Sequence, residues 1–153
     1  CATAFLRPRC DVTVIVRTKF RVEWGDCSPS GAVFYPNYFR WFDKSVWDLF
    51  EKAGHPIVEM ERRYGTVGIP IVDMQVSFQR PCRLRNDVVL ETRATEWQTK
   101  RFKIQHEVSR AGETLVTCVE TRFWGVRHPE HPERLTSAEI PAEVIAAFEG
   151  QGG

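Results

Sequence analysis

The residues best placed to do chemistry fall in and just after one loop. Asp26 and Ser28 stand two apart in a segment, 25–31, built from Gly, Pro, Ser and Asp, the composition of a tight connection. A short apolar run, Ala32-Val33-Phe34, leads from it to Tyr35-Pro36-Asn37-Tyr38 at the start of a helical pattern. Free backbone amides at a helix start point outward, and the helix dipole favours negative charge there. A carbonyl placed just beyond Tyr35 would be polarised and its tetrahedral oxyanion stabilised. Further along the same pattern, Asp43 falls among Phe39, Val46 and Phe50 on a helical wheel. A carboxylate within an apolar stripe loses hydration unless something pairs with it. Asp43 therefore either pairs with a neighbour such as Arg40 or Lys44 or tilts outward, or it faces a ligand pocket between the helix and whatever covers it.

Ser28 is a weak nucleophile unless a base adjoins it, and no G-x-S-x-G elbow surrounds it. Three roles stay open: it orients a water for a carboxylate base, it attacks directly, or it belongs to a site that binds without turnover. Asp26, in the same loop, either supplies a base or makes a turn hydrogen bond. Asp73 shares strand parity with Ile69 and Ile71 and, read from the strand alone, lies on its solvent face. The four histidines form no metal-ligand spacing. His128 and His131 decorate a Pro-rich stretch, and His106, in register with Phe102, Ile104 and Val108, reads as a satisfied core or interface histidine.

These residues need elements to hold them. Residues 12–24 alternate Val12, Val14, Val16, Phe20, Val22 and Trp24 against polar residues, a half-buried strand. The helix follows, with Asn37 as its expected cap and Gly54 as its stop. Phe39, Phe42, Val46, Leu49, Phe50 and Ala53 recur at helical spacing along roughly 27 Å. Further strand patterns run over 70–79, 87–97, 101–110 and 114–127, the last two joined by Ala111-Gly112, and a short helix spans Pro141 to Phe148. The order predicts an α+β domain over residues 11–150, with one five-stranded, mainly antiparallel sheet wrapped around one long helix. Residues 1–10 show no period and are expected to form a flexible arm.

At 153 residues, with 42% apolar and 27% charged content, the chain suits one folded core. A net charge of +1 gives no reason to expect nucleic-acid binding. Local clusters, Arg80-Arg83-Arg85 and Lys100-Arg101-Lys103, are either solvated faces or a site for ligand phosphates. Five cysteines without a C-x-x-C pair argue for a reducing compartment. No membrane-length apolar run and no signal-like start are present, so a cytoplasmic location and no membrane partner are expected.

The segment Trp24–Asp43, WGDCSPSGAVFYPNYFRWFD, resembles the signature of the hotdog-fold acyl-CoA thioesterases, in particular their 4-hydroxybenzoyl-CoA thioesterase branch. A weaker match covers Val67-Gly68-Ile69-Pro70-Ile71-Val72. The branch usually reads G-D-C-D-P-A-G, and its second Asp is the catalytic carboxylate. Ser28 occupies that slot here. The resemblance implies a hotdog fold around the long helix, an acyl-CoA substrate with an aromatic acyl group, and no cofactor or metal. It assigns oxyanion stabilisation to the Tyr35 amide and phenol recognition to Asp43. The family's pocket-facing hydroxyl position falls on Ile69, which would put Asp73 on the same cavity. Arg80, Lys100 and Arg101 would meet the nucleotide phosphates. Family members build sites between subunits, so a homodimer or homotetramer is expected. Because of Ser28, a weakly catalytic or non-catalytic acyl-CoA-binding module stays open, as does an aliphatic acyl-CoA thioesterase.

Overall fold

The period-2 pattern of the first strand becomes β1 (Ile15–Arg21), which buries Val16 and exposes Arg17, Lys19 and Arg21. After it come a 3-10 turn (Trp24–Asp26), α1 (Pro36–Lys52), α2 (Ile57–Tyr64), β2 (Thr66–Gly68), β3 (Ile71–Phe78), β4 (Asp87–Trp97), β5 (Arg101–Arg110), β6 (Glu113–Phe123), β7 (Gly125–Arg127), β8 (Leu135–Ser137) and α3 (Ala142–Phe148). The structure is a computed structural model that describes residues 13–150. The arm expected over residues 1–10 lies outside them.

β1, β4, β5, β6 and β3 form, in that order, a five-stranded sheet whose neighbours are all antiparallel. Along β4 and β5 every second residue is buried: Val88, Leu90, Thr92 and Ala94, then Phe102, Ile104, His106 and Val108. That face receives α1, whose Phe42, Val46, Leu49 and Phe50 are fully buried. Burying each such side chain contributes about 1.5–3 kcal/mol, so the helix is fixed by tertiary packing more than by its own propensity.

α1 begins with Pro36 at its first position, where no amide is needed. Its N-cap is Tyr35. Asn37 does not cap the helix; its Nδ2 donates to the Asp26 carbonyl at 2.8 Å and fastens the preceding loop instead. The end follows expectation: Gly54 takes φ +82°, and the Gly54 and His55 amides bond to the Glu51 and Phe50 carbonyls, the paired closure of a left-handed helix stop. The Ala111-Gly112 turn has positive φ at both residues, which suits a two-residue hairpin.

Two features depart from the expected order. α2 follows α1 directly, closed by Gly65 at φ +68°. The strand expected over 114–127 is broken at Trp124: β6 stays in the large sheet, while β7 joins β2 and β8 in a three-stranded sheet. Gly125 permits the crossing, since a Cβ there would lie 2.8 Å from the Gly68 carbonyl oxygen. This small sheet and α2 close the side of the molecule next to Asp43.

Candidate active site

The loop before α1 is held by several backbone hydrogen bonds, both within itself and to the segment after β3. Asp26 Oδ2 accepts from the Glu23 amide at 2.9 Å, and the Asp26 carbonyl accepts from the Phe34 amide at 2.8 Å as well as from Asn37. The Val33 amide donates to the Cys82 carbonyl at 2.8 Å and the Leu84 amide to the Gly31 carbonyl at 3.0 Å, tying the loop to the segment after β3. Within it, residues 28–31 make a tight turn that Gly31 closes at φ +80°. Ser28 is half-buried there. Its hydroxyl lies 2.7 Å from Ser30 Oγ and 3.3 Å from the Ala32 carbonyl. Neither neighbour is a base, so the hydroxyl is oriented but not activated.

Tyr35, the N-cap of α1, presents an exposed ring edge-on to Phe34 and Phe39. Its amide finds no backbone acceptor among the described residues. A cleft of about 410 Å³ opens beside it, lined among others by Tyr38, Phe78, Arg80 and Cys82. Burial pushes the Cys82 thiol up to about 11, with Cys27 acting in the same direction, so Cys82 carries no thiolate at neutral pH and is no nucleophile.

Asp43 lies two turns along α1, about 12 Å from Tyr35 at 1.5 Å per residue. It is not sunk in the apolar stripe: its side chain is 59% exposed. Nor does it pair with Arg40 or Lys44. Lys44 bonds to Asp48 at 2.9 Å, and Asp43 Oδ1 accepts from Arg122 Nη2 at 3.3 Å. Asp43 and Arg122 share a cavity of about 480 Å³ with Trp47, Met60, Thr66 and Ile69. Ile69 is buried in its wall, and its carbonyl accepts from Arg122 Nη1 at 3.1 Å.

Arg122 ends a polar row that sequence reasoning missed. Its Nε donates to Glu120 Oε2 at 2.7 Å; Glu120 Oε1 lies 3.3 Å from His106 Nε2; His106 Nδ1 lies 2.7 Å from Thr92 Oγ1; and the Ser45 hydroxyl donates to Thr92 at 2.7 Å. Thr92, His106 and Glu120 are fully buried and Arg122 is 4% exposed. Phe42 stacks on the His106 ring at 4.5 Å. Burial lowers the His106 pKa below its ordinary range, so the ring is neutral. Burial alone would raise Glu120, but His106 and Arg122 outweigh it and hold its carboxyl below the usual range. His106 is thus buried in the core as expected but satisfied at Nδ1 alone: Nε2 and Glu120 Oε1 approach to 3.3 Å without forming a hydrogen bond. The available signal for the rest lay in β6, where Glu120 and Arg122 are in phase with Val116 and Cys118.

Other expected positions fall elsewhere. A register shift between Ile71 and Asp73 breaks the parity that linked Asp73 to Ile69. Asp73 is exposed on the edge strand and does not line the Asp43 cavity. Asp26 makes the turn hydrogen bond. Arg80, beside the Tyr35 cleft, is paired with Glu113 at 2.7 Å. Lys100 and Arg101 are exposed at the opposite end of the sheet, because Arg80 bonds to Leu115 near the start of β6 whereas Arg101 faces Phe123 at its end. At about 3.4 Å per residue these basic groups stand roughly 27 Å apart along one chain, so they do not form one phosphate site within a subunit.

A long helix wrapped by a five-stranded antiparallel sheet, with a helix-start amide and a helix carboxylate opening on clefts along it, defines a hotdog-fold protein of the thioesterase type. The chain belongs to the thioesterase-like superfamily, whose family model matches residues 22–148. It is 35% identical to a 4-hydroxybenzoyl-CoA thioesterase from Pseudomonas sp. strain CBS-3, over 82% of this chain and 91% of that protein. The structure of that organism's enzyme superposes with a TM-score of 0.79 at 33% identity, covering 87% of this chain and 98% of the other. A gentisyl-coenzyme A thioesterase superposes at 0.73 with 28% identity, covering 85% and 99%. No helix among the described residues is long and apolar enough to cross a membrane.

Proposed function

We propose that this chain hydrolyses an aromatic acyl-CoA thioester, with a 4-hydroxybenzoyl-like acyl group, to the free acid and coenzyme A. The observation that carries the reading is the spacing of Tyr35 and Asp43 on one helix. Their separation of about 12 Å suits a para-substituted benzoyl group with a hydrogen bond of about 2.8 Å at each end. The thioester carbonyl would accept from the Tyr35 amide, and the ring hydroxyl would donate to Asp43. As water attacks, the carbonyl oxygen gains negative charge, which the amide and the α1 dipole stabilise. Ser28, held by Ser30, would place the water.

A carboxylate would take the water's proton. Asp26 is the nearer in sequence, though its Oδ2 is engaged by Glu23. Asp73 enters the reading only across the β3 edge, in a homodimer or a tetramer built from such dimers. Exposed Ile71, Val72 and Phe78 on that edge support such pairing. Arg80, on the Tyr35 cleft, is the cation we assign to a coenzyme phosphate. Its exposed pair with Glu113 contributes little and can open. Lys100 and Arg101 would meet phosphates only from a second subunit. The free thiols of Cys27, Cys82 and Cys118 fit a reducing compartment, and we place the protein in the cytoplasm.

The test is a panel of aromatic and aliphatic acyl-CoA thioesters assayed by free-thiol release. Turnover highest with hydroxylated benzoyl groups supports the reading. Preference for aliphatic chains, or binding without turnover, overturns it.

A further inference from the structure

The buried polar row reaches beyond the core, because both its ends lie on the same helix. Ser45 and Asp43 are two residues apart on α1. From Ser45 the contacts run to Thr92 on β4, His106 on β5 and Glu120 on β6, and return through Arg122 to Asp43. Thr92 and His106 are directly opposite in the β4–β5 ladder, so the row crosses the sheet beneath α1. The Thr92 hydroxyl, accepting from Ser45, has Nδ1 of His106 as the acceptor within reach for its own proton. A neutral His106 then carries its hydrogen on Nε2, toward Glu120.

Arg122 is the member that meets the cavity. Glu120 Oε2 and the Ile69 carbonyl fix its Nε and Nη1 at 2.7 and 3.1 Å, so the guanidinium plane cannot turn freely. Its Nη2 meets Asp43 Oδ1, leaving the second carboxylate oxygen for another donor. Two contacts through one side chain thus set the direction of an otherwise mobile, largely exposed carboxylate. A hydrogen bond weakens steeply as its angle falls, so a carboxylate free to rotate would recognise a ring hydroxyl poorly.

We propose that Arg122, braced by Glu120 and the Ile69 carbonyl, is the positioning residue that aims Asp43 and so sets selectivity for an acyl ring bearing a hydrogen-bond donor. The inference rests on the aromatic-thioester reading above. It names the acceptable ring substituents by chemistry: hydroxyl or amino groups, which donate, over methoxy groups or halogens, which do not.

Arg122→Lys keeps the charge but loses the fork that engages Glu120, Ile69 and Asp43 together. Arg122→Met combined with Glu120→Gln removes it without leaving a buried carboxylate unpaired, and the lysine variant carries the test if that pair does not fold. Both are compared with wild type on 4-hydroxybenzoyl-CoA and benzoyl-CoA, alone and with Asp43→Asn. The ratio of kcat/KM between the two thioesters is expected to fall about tenfold or more in each Arg122 variant. Adding Asp43→Asn should then change that ratio by less than about twofold, because coupled residues are non-additive. Equal losses on both thioesters, or additive effects of the Arg122 and Asp43 changes on the ratio, would show a merely structural role and overturn the inference. A high wild-type ratio that survives Arg122→Lys overturns it alone. A wild-type ratio near one overturns the reading of Asp43 as a phenol acceptor, and this inference with it.

Discussion

Replacing Ser28 by Asp tests whether the loop is an otherwise complete hydrolytic site that lacks its base. The loop, the Tyr35 amide and Asp43 would stay in place, and only a carboxylate would be added. A positioned general base contributes typically ~10²–10⁴-fold, which is about 2.7–5.4 kcal/mol of barrier at 1.36 kcal/mol per tenfold. The local contacts reduce that figure. A carboxylate at position 28 cannot keep the donation to the Ala32 carbonyl at 3.3 Å and is repelled by it, so it turns toward the Ser30 hydroxyl, now 2.7 Å from Ser28 Oγ. That hydroxyl can donate to one carboxylate oxygen, leaving the other for the water. With one oxygen engaged and its basicity lowered, the gain falls to the bottom of that range or below it, roughly 10–100-fold. Free-thiol release from 4-hydroxybenzoyl-CoA measures it, with Ser28→Asn as the control of similar shape and no charge. The expected result is a gain for Ser28→Asp alone. Equal rates for the Asp and Asn variants, with thermal stability intact, refute the reasoning. Ser28→Ala separates the remaining cases: loss of all activity points to a water contact or direct attack by Ser28, and unchanged activity moves the chemistry to Asp26 or Asp73.

Asp43→Asn should lower turnover of 4-hydroxybenzoyl-CoA roughly 10–100-fold more than that of benzoyl-CoA, the worth of a hydrogen bond to a charged acceptor; steady-state assays on the two substrates decide it. Phe42→Ala, at a fully buried position stacked on His106, should destabilise the fold by about 3–5 kcal/mol in urea unfolding. His106 has its pKa lowered from 6.5 by burial, so the unfolded chain takes up a proton below that pH and the folded one does not. Stability should therefore fall as pH drops below about 6.5, with a second loss below about 4.5 as unfolded Glu120 protonates; melting curves should show the first loss flattened in His106→Gln. Phe78→Arg, on an edge-strand side chain that is 54% exposed, should shift the protein to monomer by light scattering and abolish activity if the site is shared between subunits.

The parts of the site that were legible in the sequence are those made by near neighbours. The loop at 25–31, the apolar run behind it and the helix start lie within one segment, and turn composition and helical spacing suffice to read them. Even there composition misleads at Asn37, whose side-chain amide meets the Asp26 carbonyl, eleven residues back, rather than the first turn of α1. α2 left a readable trace, Ile57, Met60 and Tyr64 at helical spacing between Pro56 and Gly65, though it is only eight residues long. For Asp73 strand parity, taken with the resemblance, leaves cavity and solvent both open and carries no warning of a bulge; one extra residue between Ile71 and Asp73 exchanges the faces, and the side chain is exposed.

Asp43 shows where helical periodicity stops being informative. A wheel ranks residues by angle, and by angle Asp43 belongs with Phe39, Val46 and Phe50. Yet Phe39 is only half-buried while Val46 and Phe50, further along the helix, are fully buried, so full cover at this angle begins beyond Asp43 and the carboxylate stands on its margin. What lies beyond that margin is set by β6 and the small sheet, and Arg122 is 79 residues away in sequence. The pairing follows from the sheet order and from Gly125, which lets the chain leave the large sheet just after β6. The edge of a helix stripe is also where a ligand can touch helix, sheet and solvent together. A carboxylate there stays largely exposed, and it needs only one fixed cation to give it direction.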